Sequence, residues 1–100
     1  MGIVKSDVVQ SLAGRDRGQY FFVLEIQDEY LLLADGKLRK VEAPKRKKAK
    51  HVAKTPLTDE HLADKIRNGE KITNSELRKA IIAFGDQGNL NQEEDELGKV

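Results

Sequence analysis

The sequence predicts a mainly β domain with an added α part: a small β barrel followed by a C-terminal helical hairpin. Within residues 1–44, short apolar runs rich in β-branched and aromatic residues are separated by tight-turn signals. Within residues 56–85, two amphipathic patterns each carry helix start and stop signals. Curling such a short sheet into a barrel covers its edges and buries one face, so a barrel is the expected β architecture.

Two strands are predicted before residue 27. The first contains Val8 and Val9. The second is the run QYFFVLEI at residues 19–26, whose side chains alternate between the two faces of a sheet. One face is predicted to carry Tyr20, Phe22, Leu24 and Ile26, and the other Phe21 and Val23. Because both sets are apolar, both faces of this strand are expected to meet apolar neighbours.

A hairpin is predicted next. The third strand is YLLLA at residues 30–34, and an Asp-Gly dipeptide ending at Gly36 supplies the positive φ angles of a tight turn. The returning strand is KLRKVEA at residues 37–43, with a bulge or an early end because its apolar residues are three apart rather than two. Pro44 is predicted to close the barrel, since proline cannot donate to a central ladder.

The second half of the chain carries two helix patterns. Thr58 is the predicted N-cap of the first helix, which stops at residues 68–69, an Asn-Gly pair. Thr73 and Glu76 form a capping box for the second helix, whose apolar stripe ends at Gly85. A hairpin with so few apolar residues cannot fold alone, so it must pack on the barrel or on a partner.

Charge is distributed unevenly along the chain. Residues 1–54 hold twelve Lys and Arg against seven Asp and Glu, whereas residues 55–100 hold six against ten. Residues 45–55 contain a run of cations without any acid and are predicted to form a flexible basic linker or arm, which orders when an anion neutralises it. Residues 86–100 are predicted to be a disordered acidic tail.

Several classes of function find little support in the sequence. There is no cysteine, and the two histidines, His51 and His61, lack a second pair of metal ligands. The glycine spacing lacks the Lys-Ser/Thr pair of a phosphate-binding loop. We therefore expect no catalytic residue, no metal, no cofactor and no enzymatic activity. The apolar runs are far shorter than the roughly 20 residues of a membrane span, so no membrane contact is expected. The absence of cysteine agrees with a cytoplasmic location, and a monomer is the default expectation.

The stretch SLAGRDRGQYFFVLEI at residues 11–26 places two glycines ahead of a dense apolar run. Gly14 and Gly18 permit backbone conformations that other residues resist, so they are predicted to form a tight turn. Arg15 and Arg17 at its tip remain in water or contact phosphate, and Asp16 between them is interpreted as a solubilising residue.

The run DVVQSLAGRDRGQYFFVLEI resembles the KOW motif, in which two glycines separated by charged residues join two apolar strands. Together with ADGKLRKVEAPKRKKAKH and NGEKITNSELRKAI, residues 3–84 are similar to small bacterial KOW-domain RNA-binding proteins. These in turn resemble KOW-bearing large-subunit ribosomal proteins of archaea and eukaryotes. The resemblance implies an SH3-like barrel, binding to RNA or the ribosome, and presentation of Arg15 and Arg17 to a phosphate backbone.

The resulting prediction is a phosphate-directed binder of structured ribosomal RNA. Its expected RNA contacts are the basic residues of the turn, the returning strand and the arm. They are Arg15, Arg17, Lys37, Arg39, Lys40, Lys45, Arg46, Lys47, Lys48, Lys50, His51 and Lys54. The turns that present them depend on Gly14, Gly18 and Gly36.

Two alternatives remain open at this stage. SH3-like barrels also dock polypeptides, so the barrel and the helical hairpin could instead form a protein-interaction module, with ribosomal proteins among its partners. In the second alternative, the acidic tail folds back on the basic run and suppresses non-specific RNA binding.

Overall fold

A five-stranded antiparallel sheet carries two helices on one of its faces. The structure, a computed structural model, describes the backbone of residues 2–96 and the side chains of residues 2–85. The strands are β1 (Val8–Ser11), β2 (Tyr20–Gln27), β3 (Tyr30–Ala34), β4 (Lys45–Lys48) and β5 (Val52–Lys54). A 3₁₀ turn (Ala49–His51) separates β4 from β5, and the helices are α1 (Glu60–Arg67) and α2 (Asn74–Glu96). The predicted combination of a β sheet with two helices is confirmed, but the fold is mixed β/α rather than mainly β.

The sheet is open rather than closed. Its strand order is β4-β3-β2-β1-β5, so β4 and β5 form the two edges. Within residues 2–96, no ladder joins these two edges. The backbone hydrogen bonds that would close the predicted barrel are therefore not formed in the described part of the chain.

Both faces of the sheet are buried against apolar side chains, as the pattern of β2 predicts. The helix face, which carries Val8, Phe22 and Ala34, packs on α1 and α2. The helices contribute Leu62, Ile66, Leu77, Ala80 and Phe84 to this core. The opposite face, called the turn face here, carries a second core of Val9, Phe21, Val23, Leu31, Leu33 and Val52. The domain therefore has two small cores on either side of one sheet.

A β-bulge changes the predicted alternation near the end of β2. The register of β2 against β3 shifts between Val23 and Glu25, which adds one residue to β2. Ile26 consequently pairs with Leu31, and paired residues lie on the same face. Ile26 therefore lies on the turn face and not beside Phe22, which corrects the prediction.

The predicted returning strand at residues 37–43 is a compact loop instead. The carboxylate of Asp35 accepts hydrogen bonds from the backbone amides of Lys37 and Arg39, each at 2.9 Å. These amides are therefore satisfied locally and do not pair with β3. The strand that pairs with β3 is β4, which begins directly after Pro44. The proline thus precedes an edge strand and does not close the barrel, a position where its missing N–H costs no ladder hydrogen bond.

The predicted basic arm is folded. Residues 45–48 form β4 on the edge beside β3, and residues 52–54 form β5 on the edge beside β1. The prediction of a flexible linker was wrong because it counted charges along the chain only. Asp16, distant in sequence, supplies an internal counter-ion to β4 through Lys45 and Lys47.

The helix start signals are correct in kind. Helix α1 is capped by Asp59 rather than Thr58, because the Asp59 carboxylate accepts a hydrogen bond from the Leu62 backbone amide at 3.0 Å. The capping box of α2 is confirmed: the Thr73 amide donates to the Glu76 carboxylate at 2.9 Å, and the Glu76 amide donates to the Thr73 hydroxyl at 3.1 Å. These bonds satisfy backbone donors that a helix start leaves free.

Helix α2 continues beyond its predicted end. It passes through Gly85 and reaches Glu96, so the backbone of residues 86–96 is helical and not a disordered tail. Gly85 and Gly88 lie inside this helix and cost about 1 kcal/mol each relative to alanine, and the Gln and Glu residues after them favour helix. The last predicted tail residues, 97–100, lie outside the described residues. None of the helices within residues 2–96 has the length and apolar character needed to cross a membrane.

Candidate nucleic-acid interface

The glycine turn has the predicted geometry. Gly14 and Gly18 have φ angles of +87° and +89°, which residues with a Cβ rarely adopt. The Gly18 amide donates to the Ser11 carbonyl at 2.8 Å and closes the turn. Arg15 and Arg17 are exposed at its tip, where they can reach an anion in solution.

Asp16 at the centre of this turn is buried, with 8% of its surface exposed. Its carboxylate accepts hydrogen bonds from the Ser11 hydroxyl at 2.7 Å, Lys45 Nζ at 2.8 Å and Lys47 Nζ at 2.9 Å. Lys47 Nζ also donates to the Ala13 carbonyl at 2.8 Å. Asp16 therefore ties the turn to β4, and the interpretation of Asp16 as a solubilising residue was wrong.

The contacts of Asp16 fix its charge. Burial of the carboxyl opposes ionisation, but the hydrogen bonds from Lys45, Ser11 and Lys47 outweigh burial and hold the pKa of Asp16 well below its usual range. The carboxylate is therefore ionised at neutral pH and neutralises one of the two lysines. We call these contacts the Asp16 network. They link the glycine turn to edge strand β4 through side chains, since the backbone of the turn does not reach that strand.

Two predicted RNA contacts consequently have an internal role. The Lys47 side chain is only 7% exposed, so it cannot contact a phosphate without leaving Asp16. This removes Lys47 from the candidate contacts. The Lys45 side chain is 25% exposed and lies at the surface end of the same network.

The loop at residues 35–42 is docked on the start of α2. Gly36 has a φ of +80°, and a Cβ built there would clash with the Asn74 carbonyl oxygen. The Arg78 guanidinium donates to the Gly36 carbonyl at 2.9 Å, and the Val41 amide donates to Asn74 Oδ1 at 2.8 Å. The loop that carries Lys37 and Arg39 is thus held against a helix.

Cations from four segments converge beside this loop. Arg15, Arg39 and Lys45 line a hollow of about 250 Å³. Lys37 and Arg78 line an adjoining groove of about 470 Å³, and Leu38 borders both. We call the combined area the turn–loop surface, defined by Arg15, Lys37, Leu38, Arg39, Lys45 and Arg78.

Two carboxylates border the turn–loop surface, and both are engaged within the protein. Asp16 is bound in its own network, and Asp35 accepts two backbone amides. Asp16 is paired with two lysines and Asp35 is buried, so the exposed charge of the surface is cationic and favours polyanions.

Arg78 is the cation of this surface that the sequence did not predict. It follows the buried Leu77 on α2, so helical periodicity places it at the border of the apolar stripe. That position indicates a surface residue but says nothing about the loop that approaches it.

The other predicted contacts lie elsewhere. Arg46 and Lys48 cover the half-buried Tyr30 ring, at 3.7 Å from the ring centroid to the Arg46 guanidinium carbon and 5.8 Å to Lys48 Nζ. Lys54 Nζ lies 3.6 Å from the Asp7 carboxylate. The remaining four predicted residues, Arg17, Lys40, Lys50 and His51, are exposed but do not line the turn–loop surface.

In the part of the chain that the structure describes, no three His, Cys, Asp or Glu side chains come close enough together to hold a metal ion. No protein-family model matches this sequence, and no curated protein matches it either.

Proposed function

We propose that the protein is a non-enzymatic RNA-binding protein that contacts phosphates through the turn–loop surface. The observation that carries the proposal is the convergence of Arg15, Arg39 and Lys45 on one hollow, with Lys37 and Arg78 in the next. Guanidinium and ammonium groups at fixed spacing bind a phosphate backbone by displacing its counter-ions. The resemblance of the turn to a KOW motif favours RNA, and structured ribosomal RNA in particular, as the polyanion.

The proposal includes an SH3-like barrel of the KOW type, in an open form. Five short antiparallel strands and the return of β5 to pair with β1 support this interpretation. The Asp16 network connects the glycine turn to edge strand β4 across the turn face.

Contact with phosphates and shape is favoured over stacking on exposed rings. None of the five aromatic side chains is exposed, because Phe21, Phe22 and Phe84 are buried and Tyr20 and Tyr30 are half-buried. Recognition of structured RNA depends largely on phosphate and ribose contacts, which a cationic surface supplies.

One argument for the protein-interaction alternative no longer applies. The helical hairpin was expected to need a partner surface, and the sheet provides one through the core of the helix face. Phe84 of α2 lies with its ring centroid 6.0 Å from that of Phe22. The other alternative, in which the acidic tail suppresses RNA binding, depends on side chains that lie outside the described residues.

RNA affinity is expected to fall steeply with salt. If the five cations of the surface, Arg15, Lys37, Arg39, Lys45 and Arg78, each neutralise a phosphate, a slope of about −0.7 per contact predicts a roughly hundredfold loss between 50 and 200 mM salt. Fluorescence anisotropy with a ribosomal RNA fragment measures this slope. A flat response would contradict the phosphate contacts.

Two double variants test whether the salt dependence of RNA binding comes from the turn–loop surface. Arg15→Ala/Arg39→Ala should reduce the slope by about 1.4, the contribution of two contacts. The matched control is Lys71→Ala/Lys79→Ala, which removes two exposed cations from the helical part, Lys79 beside Glu76. The control should retain the parent slope. An equal reduction in both variants would indicate non-specific attraction to the whole protein.

A further inference from the structure

The turn–loop surface contains an apolar groove. Of the large apolar side chains in the described part of the chain, the two most exposed are Leu38 at 60% and Ile82 at 58%. Both line the same groove of about 470 Å³, together with the half-buried Tyr20 and Ile81. This volume lies within the range of about 300–1,000 Å³ typical of small-ligand sites.

The walls of the groove are fixed by the fold. Leu38 belongs to the loop that Asp35 closes with two backbone hydrogen bonds and that Arg78 holds against α2. Ile82 follows Ile81 on α2, outside the stripe that packs on the sheet. The two exposed side chains therefore come from two elements that the fold holds together, a loop and a helix, and the groove is formed without a ligand.

The rim of the groove is cationic. Lys37 and Arg78 line it, and Asp35 is occupied by backbone amides. Gln19 also lines it and carries an amide with both donor and acceptor atoms. An occupant complementary to this groove has a flat apolar body, polar edges and negative charge at its flanks.

We propose that the groove receives one unpaired nucleotide of an RNA bound on the turn–loop surface, an inference that rests on the proposed function. Base faces in a duplex are covered by stacking, so a duplex presents mainly phosphates and riboses to this surface. An unpaired nucleotide exposes its base faces between two phosphates. Its base would lie between Leu38 and Ile82, with Lys37 and Arg78 beside the flanking phosphates and Gln19 at the base edge.

The test compares two RNA hairpins of the same sequence, one fully paired and one with a single-nucleotide bulge. At equal salt, the parent protein should bind the bulged hairpin about tenfold more tightly or better, the effect expected when about 60 Å² of apolar surface is removed from water. Leu38→Ser/Ile82→Ser should reduce this preference to within about twofold while the fully paired hairpin keeps its affinity and salt slope. A 2-aminopurine at the bulge should change fluorescence with the parent and not with this variant.

The control variant is Val4→Ser/Ile26→Ser, which changes two exposed apolar residues outside the groove, 54% and 39% exposed. It should keep the preference for the bulge. Equal affinity of the parent for both hairpins, or a preference that survives Leu38→Ser/Ile82→Ser, would overturn the inference and leave phosphate binding intact. Equal affinity for the two hairpins is the result that a protein-docking groove would give, whereas a preference that survives the variant would place bulge recognition outside the groove. Failure of the parent to bind either hairpin would instead refute the proposed function.

Discussion

Gly36→Ala is expected to destabilise the protein by about 3 kcal/mol, from two additive causes. The φ angle of +80° disfavours any residue with a Cβ by about 1–2 kcal/mol. The added methyl group would also clash with the Asn74 carbonyl oxygen and lie 3.0 Å from the Arg78 amide nitrogen. Because both contacts are helix backbone atoms, relief requires moving the loop or α2, which costs about 1–3 kcal/mol more. Urea denaturation measures the total.

Gly18→Ala is the matched control for this substitution. Gly18 has a similar φ of +89°, but no atom lies within 4 Å of the added methyl group. It should therefore lose only the conformational part, about 1–2 kcal/mol. Gly36→Ala should also weaken RNA binding, because the loop carrying Lys37 and Arg39 must shift. Equal losses of stability in the two variants would show that the loop does not pack on α2.

Asp16→Ala is expected to cost about 3 kcal/mol or more, because it leaves the Lys47 ammonium buried without its counter-ion. Lys45 is 25% exposed and can turn towards water, so its loss contributes less. Asp16→Ala/Lys47→Met should recover much of the stability, since replacing both charges removes the unpaired ion. Asp64→Ala is the control: its ion pair with Arg67 is exposed and should contribute less than about 1 kcal/mol. Failure of the double variant to recover stability would contradict this account of Lys47.

Acidification should also reveal the contribution of the Asp16 network to stability. The folded-state pKa of Asp16 is depressed, so its contribution is fully present above the unfolded value of about 3.9 and is lost as pH falls towards the folded value. The parent should therefore lose more stability than Asp16→Asn on acidification below about pH 4. Other carboxylates are common to both proteins and cancel in the difference. Parallel stability curves would show that the Asp16 charge is not coupled to folding.

The local features of the fold were predictable from the sequence. Alternating apolar residues predict β2, and the Thr73–Glu76 capping box predicts the start of α2. Both signals involve residues near each other in the chain. The bulge in β2 was missed because it depends on the register with β3, which the alternation of one strand does not contain.

The predictions were wrong where a residue's interaction partners lie far away in the sequence. The basic run forms β4 because Asp16 lies 29 residues from Lys45 and 31 from Lys47, a pairing that charge counting along the chain does not detect. Arg78 joins the site through a hydrogen bond to Gly36, 42 residues away. Turn and loop cations such as Arg15 were predictable because glycines and charge mark exposed turns. Their convergence was not, because it depends on how the loop docks on α2.

The most direct test of the turn–loop surface is a titration of the isotope-labelled protein with a ribosomal RNA fragment, followed by NMR. We expect the backbone and side-chain signals of Arg15, Lys37, Arg39 and Arg78 to shift together and to saturate at one RNA concentration. The signals of Lys79 should remain unchanged. Two results would contradict binding at the turn–loop surface. In one, the signals of these four residues do not move while the RNA binds; in the other, the shifts are confined to the helical part.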